Sequence, residues 1–235
     1  MVSVEDKITI ISGASGGLGQ TVSEMFYQAG AKVVLVGNTL DKVQEIANTM
    51  EPSRALPLAA DLTAADGAEA VVGAVLDKFG RVDILLNLAG GFAGGTPIHE
   101  SDDSDLDKMM ALNLRTAYNM SRAAVKPMIE QQWGRIVNIA SRDALQGRAK
   151  FSAYGISKAA VLRLTESMAA EVKPYNVIVN ALIPTAIDTE ANRKAMPNTD
   201  PNKWLKPATI AKTLLFLSSD DLAIYGAGIP LEGKG

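Results

Sequence analysis

Short apolar runs alternate with longer amphipathic segments along nearly the whole chain of 235 residues. The runs are rich in β-branched residues and apolar throughout, which is typical of strands in a parallel sheet covered on both faces. The segments between them carry apolar residues at helical spacing, as Leu18, Val22 and Phe26 do, and several end at a glycine. The alternation predicts an α/β fold with a doubly wound parallel sheet and helices on both faces.

The pattern places seven strands and about six helices along the chain, with no linker and no repeat between them. The predicted strands are residues 7–13, 31–37, 54–62, 82–90, 134–141, 176–184 and 226–233. The predicted helices are residues 18–30, 40–50, 65–80, 105–131, 152–173 and 208–219. We therefore expect three layers in a single domain over residues 1–235, with ligands bound at the carboxyl ends of the strands, where the strand order reverses.

Composition excludes several classes of protein. The net charge is −3 and no block of Lys or Arg occurs, which argues against nucleic acid as a partner. The chain has no cysteine and one histidine, so we expect no metal site and no histidine-based catalytic triad. The first residues form neither a signal peptide nor a membrane span, so we expect a cytoplasmic protein without membrane contact.

A glycine-rich turn, "GASGGLG", joins the first predicted strand to the first predicted helix and contains Gly13, Gly17 and Gly19. Glycines at such a turn let the backbone bend tightly and let a pyrophosphate approach the free N–H groups of the helix. At this position in a Rossmann-type fold, the turn predicts a dinucleotide site that binds the cofactor. The alternative is a glycine-rich connector that binds nothing.

The end of the second predicted strand bears on which dinucleotide is bound. Many NAD-binding folds place an acidic residue there for the ribose 2′-hydroxyl, and this chain has Asn38 and Thr39 instead. The lack of a carboxylate permits the 2′-phosphate of NADP(H), although the nearest base is Lys42. NADP(H) is therefore favoured, and NAD(H) stays open. Asp61 could accept a hydrogen bond from the adenine amine or could cap the helix that follows it.

Tyr154 and Lys158 are four residues apart, on one face of the predicted helix over residues 152–173. A nearby ammonium group stabilises a phenolate, so we expect Lys158 to lower the pKa of Tyr154 from its ordinary value of about 10. Tyrosine would then give or take a proton nearer neutral pH. The alternative is a solvated pair on the surface of a helix.

Two further polar residues fall near this pair. Ser141 ends the fifth predicted strand at the same crevice, where its hydroxyl could hold a carbonyl oxygen as charge develops on it. Asn113 lies inside the predicted helix over residues 105–131, although asparagine is a poor helix former. It could hold a water that passes protons to Lys158, or it could be a buried polar group satisfied by neighbouring backbone.

Taken in order, these motifs resemble the short-chain dehydrogenase/reductase family, in its smaller single-domain branch. The resemblance covers essentially the whole chain and implies NAD(P)-dependent carbonyl or alcohol redox chemistry, with hydride transfer from the nicotinamide C4 to the substrate carbon. The matching pieces are "GASGGLG", Asp61-Leu62, "NLAG" at 87–90, Asn113, Ser141, "YGISK" at 154–158 and "IPTAIDT" at 183–189.

The resemblance also implies a role for each site residue. Tyr154 gives the proton to the carbonyl oxygen, and Ser141 orients and stabilises that oxygen. Lys158 lowers the tyrosine pKa and binds the nicotinamide ribose, while Asn113 supports the proton relay. The implied cofactor contacts are Gly13, Ser15, Gly16, Gly17, Leu18, Gly19, Asn38, Thr39, Asp61, Leu62, Asn87, Ala89, Gly90, Tyr154, Lys158, Pro184, Ile187 and Thr189.

Two positions depart from the pattern of the family. The family usually has a second asparagine where this chain has Leu88, and a glycine where it has Thr185. A threonine at the second position is expected to narrow or re-aim the loop beside the nicotinamide.

Substrate choice is expected in the loops at residues 92–99, 142–151 and 185–206, of which the last would act as a lid. The candidate substrate contacts are Ser141, Phe92, Tyr154 and Trp204. Further apolar candidates are Leu145, Phe151 and Met196, and packing beneath the loops is the alternative for the apolar residues. A basic cluster could receive an anionic substrate or form a solvated loop; it consists of Arg142, Arg148 and Lys150.

Three alternative functions stay open. Residues 192–204 are similar to a segment of dihydropteridine reductases, which belong to the same family but typically lack the serine found at Ser141. A sensor that binds NAD(P) without turnover would need the glycine turn but not the catalytic residues. A doubly wound methyltransferase would have no use for the Tyr154 and Lys158 pair. The resemblance further implies a homodimer or homotetramer paired through the two long helices.

Overall fold

The structure, a computed structural model, describes residues 4–234, so residues 1–3 and 235 of the expected domain lie outside the described part. Seven parallel strands form one sheet in the order β3-β2-β1-β4-β5-β6-β7 within that part. The strands are β1 (Ile8–Ser12), β2 (Lys32–Gly37), β3 (Ala55–Ala59), β4 (Ile84–Asn87), β5 (Gly134–Ile139), β6 (Val177–Pro184) and β7 (Gly228–Leu231). This arrangement confirms the predicted Rossmann-type sheet.

Eight α-helices pack around the sheet in the described residues. They are α1 (Gly17–Gln28), α2 (Leu40–Ala47), α3 (Ala65–Phe79), α4 (Asp103–Met109), α5 (Thr116–Glu130), α6 (Ser152–Val172), α7 (Glu190–Ala195) and α8 (Pro207–Leu217). The short α7 lies in the predicted lid, where the sequence pattern gave no helix.

The long helix predicted over residues 105–131 is helical from Asp103 to Glu130, but it is not α-helical throughout. A π-helical segment (Met110–Arg115) separates α4 from α5 and contains the buried Asn113. Segments of this kind accommodate a residue that does not fit the regular α-helical turn, and they occur frequently at functional sites. The side chain of Asn113 is held by two hydrogen bonds from outside the helix, described below, and these contacts favour the wider turn.

Alternate side chains of each central strand pack on opposite faces of the sheet. In β2, Val33 and Leu35 join a core with α1, α2 and α8, whereas Val34 and Val36 join a core with α3, α5 and α6. Both faces are therefore covered, which explains why the strands are apolar throughout rather than alternating.

The strand order places the site. β1 pairs with β2 on one side and with β4 on the other, so the winding direction reverses at this point. The register aligns Ser12 with Asn87 and Asn87 with Asn138, which brings the loops after β1, β4 and β5 to one edge of the sheet. Ligands of doubly wound folds bind at such an edge.

Candidate active site

The turn after β1 is compact because two of its glycines leave no room for a side chain. Gly13 has a φ of 69°, and a Cβ there would lie 2.8 Å from the backbone nitrogen of Ala89. A Cβ on Gly19 would lie 2.1 Å from the carbonyl oxygen of Gly13. Gly16 caps α1 without a side-chain hydrogen bond, so no cap side chain competes with an anion at this helix terminus. The turn fits a dinucleotide pyrophosphate.

The loop after β6 reaches back to this turn. A Cβ on Gly17 would lie 3.1 Å from the Cβ of Thr189, so the threonine packs directly on the glycine. The Thr189 hydroxyl accepts a hydrogen bond of 3.2 Å from the N–H of Asn192 and thereby caps α7. The structure thus brings together two of the predicted cofactor contacts, Gly17 and Thr189, that are far apart in sequence.

The end of β2 has no room for an acidic side chain. A Cβ on Gly37 would lie 2.8 Å from Cγ1 of Val43 and 3.3 Å from the hydroxyl oxygen of Ser15. The two residues that follow Gly37 are exposed and uncharged. A groove of about 830 Å³ starts at Ser15 and runs between α1 and α2 past Lys42. Charged side chains of both signs line this groove, namely Lys42, Glu24 and Glu45.

Asp61 is exposed just beyond β3, and its carboxylate organises the turn it begins. It accepts hydrogen bonds from the N–H of Thr63 at 2.9 Å and from its hydroxyl at 2.6 Å. These bonds lower the pKa of Asp61. The neighbouring Leu62 is buried, and the amide of Asn119 donates to its carbonyl at 3.0 Å. Sequence reasoning missed Asn119, whose signal was a polar residue on the buried face of α5.

Ser12 at the end of β1 fixes the turn after β4. Its hydroxyl accepts hydrogen bonds from the N–H groups of Leu88 at 3.1 Å and Ala89 at 3.2 Å. Leu88 packs against the core shared with α1 and α8, which explains an apolar residue where the family has asparagine. Sequence reasoning missed Ser12, because a serine at the end of a strand is common and carries no distinctive signal.

The side chain of Asn87 lies in the interior rather than along the groove. Its amide nitrogen donates to the Ser121 hydroxyl at 2.9 Å and to the Asn138 side-chain oxygen at 2.8 Å. Asn138 in turn donates to the Thr165 hydroxyl at 2.9 Å. This buried polar network joins β4 and β5 to α5 and α6. Asn87, predicted as a cofactor contact, therefore holds together the elements that carry the site.

The predicted catalytic residues Ser141 and Tyr154 meet at the carboxyl end of β5. The hydroxyl of Ser141 lies beside the phenol of Tyr154, near enough to lower the pKa of that phenol. Ser141 also accepts a hydrogen bond of 3.3 Å from the N–H of Asp143. The next residue of "YGISK" allows this approach, since a Cβ on Gly155 would lie 3.1 Å from the Asp143 carbonyl oxygen. The serine and the tyrosine are therefore close enough to hold one carbonyl oxygen together.

Lys158 and Asn113 meet behind the tyrosine, around Gly90. A Cβ on Gly90 would lie 2.7 Å from Oδ1 of Asn113 and 3.4 Å from Nζ of Lys158. Lys158 is buried, and its ammonium donates to the Ile139 carbonyl at 2.9 Å. Burial lowers the pKa of Lys158 to about 8. The lysine is thus an uncommonly acidic ammonium group on the same helix face as Tyr154.

The amide of Asn113 is fully engaged by the protein. Its oxygen accepts a hydrogen bond of 2.9 Å from the N–H of Gly91, and its nitrogen donates to the Ser157 hydroxyl at 3.0 Å. Ser157 donates in turn to the Tyr154 carbonyl at 2.7 Å. Of the two interpretations left open by the sequence, the contacts agree with a buried polar group satisfied by its neighbours. Asn113 joins the loop after β4 to the first turn of α6.

The expected direction of the Tyr154 pKa was wrong. Burial raises the pKa of Tyr154, and the hydrogen bond from Ser141 opposes this rise without reversing it. The negative charge of Asp143 raises it further, whereas the positive charge of Arg148 lowers it. A buried phenol disfavours its charged form. In this structure that cost exceeds the attraction of nearby cations, so Tyr154 is held protonated.

An ion-pair cluster holds the predicted lid. The carboxylate of Asp188 is 6% exposed and binds Nε of Arg193 at 2.6 Å and Nζ of Lys206 at 2.6 Å. These partners lower the pKa of Asp188. The preceding Ile187 bridges to Leu205, so the two ends of the lid lie side by side. Asp188 was missed by the sequence reasoning, because its pairing with Arg193 and Lys206 depends on how the lid folds and gives no local signal.

Trp204 and Thr185 serve packing in this structure. Trp204 is 6% exposed, so it offers little surface to a substrate. Thr185 donates its N–H to the Leu231 carbonyl at 3.0 Å, and its hydroxyl accepts from the N–H of Gly233 at 3.2 Å. The threonine that departs from the family pattern therefore ties the loop after β6 to the chain that follows β7.

A cavity of about 200 Å³ opens next to Thr185 and is a candidate substrate pocket. It is lined by Arg142, Leu145, Gln146, Ile183, Thr185, Pro230 and Glu232. Both charged and apolar side chains face it, so its walls suit a small polar molecule. Within residues 4–234 no group of three or more acidic or histidine side chains is arranged for a metal ion, and no helix is long and apolar enough to cross a membrane.

Residues 7–200 match the model of the short chain dehydrogenase family. Together with the doubly wound sheet and the meeting of Ser141, Tyr154 and Lys158, this match identifies the class of protein. The chain belongs to the short-chain dehydrogenase family and is an oxidoreductase. The resemblance seen in the sequence is confirmed.

Three relatives illustrate what the chain is similar to. It is 34% identical to an NAD-dependent glycerol dehydrogenase of Listeria innocua, over 98% of this chain and 94% of the relative. It is 30% identical to a 3-oxoacyl-acyl-carrier-protein reductase, FabG, of Thermotoga maritima, over 98% of each chain. The crystal structure of L-sorbose reductase from Gluconobacter frateurii, complexed with NADPH and L-sorbose, superposes with a TM-score of 0.90 at 26% identity, covering 99% of this chain and 97% of that one.

Proposed function

We propose that this chain is an NAD(P)H-dependent reductase that converts a carbonyl group to an alcohol, or catalyses the reverse oxidation, with Tyr154 as proton donor. The observation that carries the proposal is that the Ser141 hydroxyl lies beside the Tyr154 phenol, near enough to lower its pKa, at the carboxyl edge of the sheet. Two hydroxyl groups that meet at this edge can bind one carbonyl oxygen.

The described residues fit a nicotinamide dinucleotide. The tight glycine turn and the uncapped start of α1 would hold the pyrophosphate, and Lys158 would bind the nicotinamide ribose. When bound, the cofactor supplies the hydride that reaches the carbonyl carbon. The protein's part is to place that carbon, to hold the carbonyl oxygen and to deliver a proton to it.

The proton comes from Tyr154. Because burial raises its pKa, the phenol is protonated at neutral pH and can donate to the oxygen as negative charge develops there. Ser141 stabilises the same oxygen by a hydrogen bond that strengthens with its charge. Lys158, with a pKa of about 8, is largely charged at neutral pH and stabilises the tyrosinate that proton donation leaves behind.

We further propose that NADP(H) is the preferred cofactor. Gly37 leaves no space for the acid that would select NAD(H), and Lys42 lines the groove beside Ser15. The relatives support both cofactors, since one is named NAD-dependent and another was crystallised with NADPH. Their names also suggest small polyhydroxylated ketones as first candidates for the substrate.

The proposed assembly follows the family resemblance. We propose one domain over residues 1–235 that acts in the cytoplasm as a homodimer or homotetramer. Three large apolar side chains on the helices expected to pair are exposed by 41–51%, which supports such an interface. They are Leu106, Tyr118 and Ile156. Sedimentation equilibrium of the purified protein tests this, and a monomer at micromolar concentration would contradict it.

The experiment that tests the function follows NADPH and NADH oxidation by absorbance over a panel of carbonyl compounds. The panel contains sugar ketones, dihydroxyacetone, diketones, β-ketoesters and quinonoid dihydropterin, and the Tyr154→Phe variant is run beside the wild type. We expect turnover with at least one ketone, faster with NADPH, that collapses in the variant. Tight cofactor binding without turnover of any compound would favour the sensor, and turnover that the variant retains would contradict the role of Tyr154.

A further inference from the structure

A ladder of side chains supports the ring of Tyr154. The ring of Phe92, from the loop after β4, meets the Tyr154 ring edge to face, with centroids 4.9 Å apart and an interplanar angle of 78°. Phe92 also stacks on Phe151, with centroids 5.5 Å apart and an angle of 27°. Both arrangements are favourable geometries for aromatic pairs. The two phenylalanines lie in loops that the sequence separates by more than fifty residues.

The far end of the ladder is charged. The guanidinium carbon of Arg148 lies 3.6 Å from the centroid of the Phe151 ring, a cation–π contact. The same guanidinium binds the Asp143 carboxylate with both oxygens, Nε to Oδ1 at 3.0 Å and Nη2 to Oδ2 at 3.0 Å. Asp143 donates its N–H to the Ser141 hydroxyl. The contacts thus begin at Tyr154 and return to Ser141, the two groups proposed to hold the carbonyl oxygen.

Backbone contacts fix the two loops that carry the aromatic rings. A Cβ on Gly94 would lie 2.2 Å from Cδ1 of Phe151, so the ring rests directly on the glycine backbone. Gly95 donates its N–H to the Lys150 carbonyl at 2.8 Å. Gly94 of the "GGFAGG" loop is thereby explained as the surface on which Phe151 packs, so the loop that carries Phe92 is fixed against the loop that carries Phe151.

We propose that Phe92 is a positioning residue, which holds the Tyr154 phenol against Ser141 in the orientation for proton transfer, and that Phe151, Arg148 and Asp143 hold Phe92 in turn. This inference rests on the proposed role of Tyr154 as proton donor. A side chain that only lined a substrate pocket would not need to contact the Tyr154 ring or to be supported on its other face. Phe92 is 56% exposed, so burial in the core does not explain its position.

The first test compares Phe92→Leu with Phe92→Tyr, with a panel substrate and NADPH. The leucine variant loses the aromatic edge, and we expect kcat to fall by about 10-fold or more while the Kd for NADPH changes by less than about 2-fold. Tyrosine keeps the ring, and kcat should stay within about 3-fold of the wild type. Phe216→Leu is the matched control, because Phe216 is an exposed phenylalanine of α8 outside the site.

A pH profile separates positioning from substrate contact. Reduction needs a protonated Tyr154, so its kcat/KM falls on the alkaline side as the phenol ionises. Without Phe92, water reaches the phenol, and this alkaline limb should move to lower pH. An effect confined to the substrate KM, with kcat and the alkaline limb unchanged, would show that Phe92 only lines the pocket and would overturn the proposal.

The other side chains of the ladder, Phe151 and Arg148, give an independent test. Phe151→Leu leaves the Phe92 contact with Tyr154 in place but removes its support, so kcat should fall in the same direction and by less. A cycle of Phe92→Leu, Arg148→Met and the double variant should be non-additive, because both changes act through one ladder. Additive effects, or a Phe151→Leu variant with wild-type kcat, would overturn the ladder.

Failure of the proposed function is recognised separately. If Tyr154→Phe retains turnover, the proton donor has been misassigned, and the ladder proposal fails with it. If Tyr154→Phe is inactive and the ladder variants match the wild type, only the ladder is overturned. Thermal unfolding and NADPH affinity of each variant show whether the fold is kept, and Phe151→Leu replaces Phe92→Leu if the latter does not fold.

Discussion

The two ends of the proposed cofactor groove are built by different means. At the glycine turn the shape comes from the backbone, since a Cβ on Gly13 or Gly19 would meet backbone atoms closer than 3.0 Å. At the catalytic end the shape comes from side chains, because Ser141, Tyr154 and their neighbours reach in from separate loops. Both ends depend on contacts between distant parts of the chain, such as Gly13 with Ala89 and Gly17 with Thr189 at the first end.

This difference teaches which properties can be changed independently. The glycine turn over residues 13–19, here called the cradle, is shaped by its backbone and tolerates few substitutions. A change there should disturb folding and cofactor binding together. At the catalytic end one side chain can be removed while the protein keeps its fold, so turnover should be separable from cofactor affinity. The following predictions test that separation.

The largest effect is expected for Tyr154→Phe. Loss of the proton donor should lower kcat by about 10³-fold, within the range of general acid catalysis. The Kd for NADPH, measured by fluorescence titration, should change by less than about 3-fold, because the cradle is untouched. Ser152→Ala is the control, as a nearby hydroxyl on α6. A parallel loss of NADPH affinity in Tyr154→Phe would contradict the proposal that turnover and cofactor affinity depend on different ends of the groove.

Lys158→Met should lower turnover by less than Tyr154→Phe does and yet stabilise the cofactor-free protein. The pKa of Lys158 is lowered from 10.5 to about 8, so below pH 8 the native state bears the full cost of a buried charge. At about 1.36 kcal/mol per pH unit, that cost is roughly 3 kcal/mol. From pH 8 to 10.5 the unfolded state binds the proton more tightly, so the native protein gains relative stability and the advantage of methionine shrinks.

Urea unfolding of Lys158→Met at pH 7 and pH 10 checks this sign. The free energy of unfolding of the variant should exceed that of the wild type by more at pH 7 than at pH 10. Lys212→Met replaces an exposed lysine of α8 and should show no such trend. A variant that is less stable than the wild type at pH 7 would mean that the Ile139 hydrogen bond outweighs the desolvation of the ammonium.

Gly19→Ala should damage the cradle and the fold together. Its Cβ would lie 2.1 Å from the Gly13 carbonyl oxygen, so the start of α1 must shift. We expect a loss of at least about 2 kcal/mol in the free energy of unfolding and a weaker Kd for NADPH. Gly73→Ala is the matched control on α3, where nothing lies within 4 Å of the added Cβ. That change should stabilise the protein by about 0.5–1 kcal/mol.

The smallest effect is expected for Thr185→Val. The change removes the hydroxyl that accepts from the N–H of Gly233 and keeps the shape of the side chain. We expect a loss of about 1 kcal/mol in the free energy of unfolding. Thr185→Ser keeps the hydroxyl, so it should keep most of the stability of the wild type. Equal stability of Thr185→Val and the wild type would show that this hydrogen bond is replaced by water.

The sheet, its order reversal and the glycine turn could be predicted from the sequence, because each depends on local periodicity or on glycine at a turn. The roles assigned to Asn113, Ser141, Tyr154 and Lys158 stay predictions, although the structure gathers these residues at one edge. The direction of the Tyr154 pKa could not be predicted, since it depends on burial by loops distant in sequence. The interior position of the Asn87 amide depends likewise on its partners Ser121 and Asn138.

The π-helical segment over Met110–Arg115 has a consequence for how such a site can evolve. A wide turn of this kind is equivalent to one residue inserted into a regular helix. Deleting a single codon there would restore regular α-helical geometry and, at 3.6 residues per turn, rotate the residues before the deletion by about 100° around the helix axis relative to α5. Asn113 would then lose its contacts with Gly91 and Ser157. One in-frame deletion could separate the helix from the site it supports without changing any catalytic side chain.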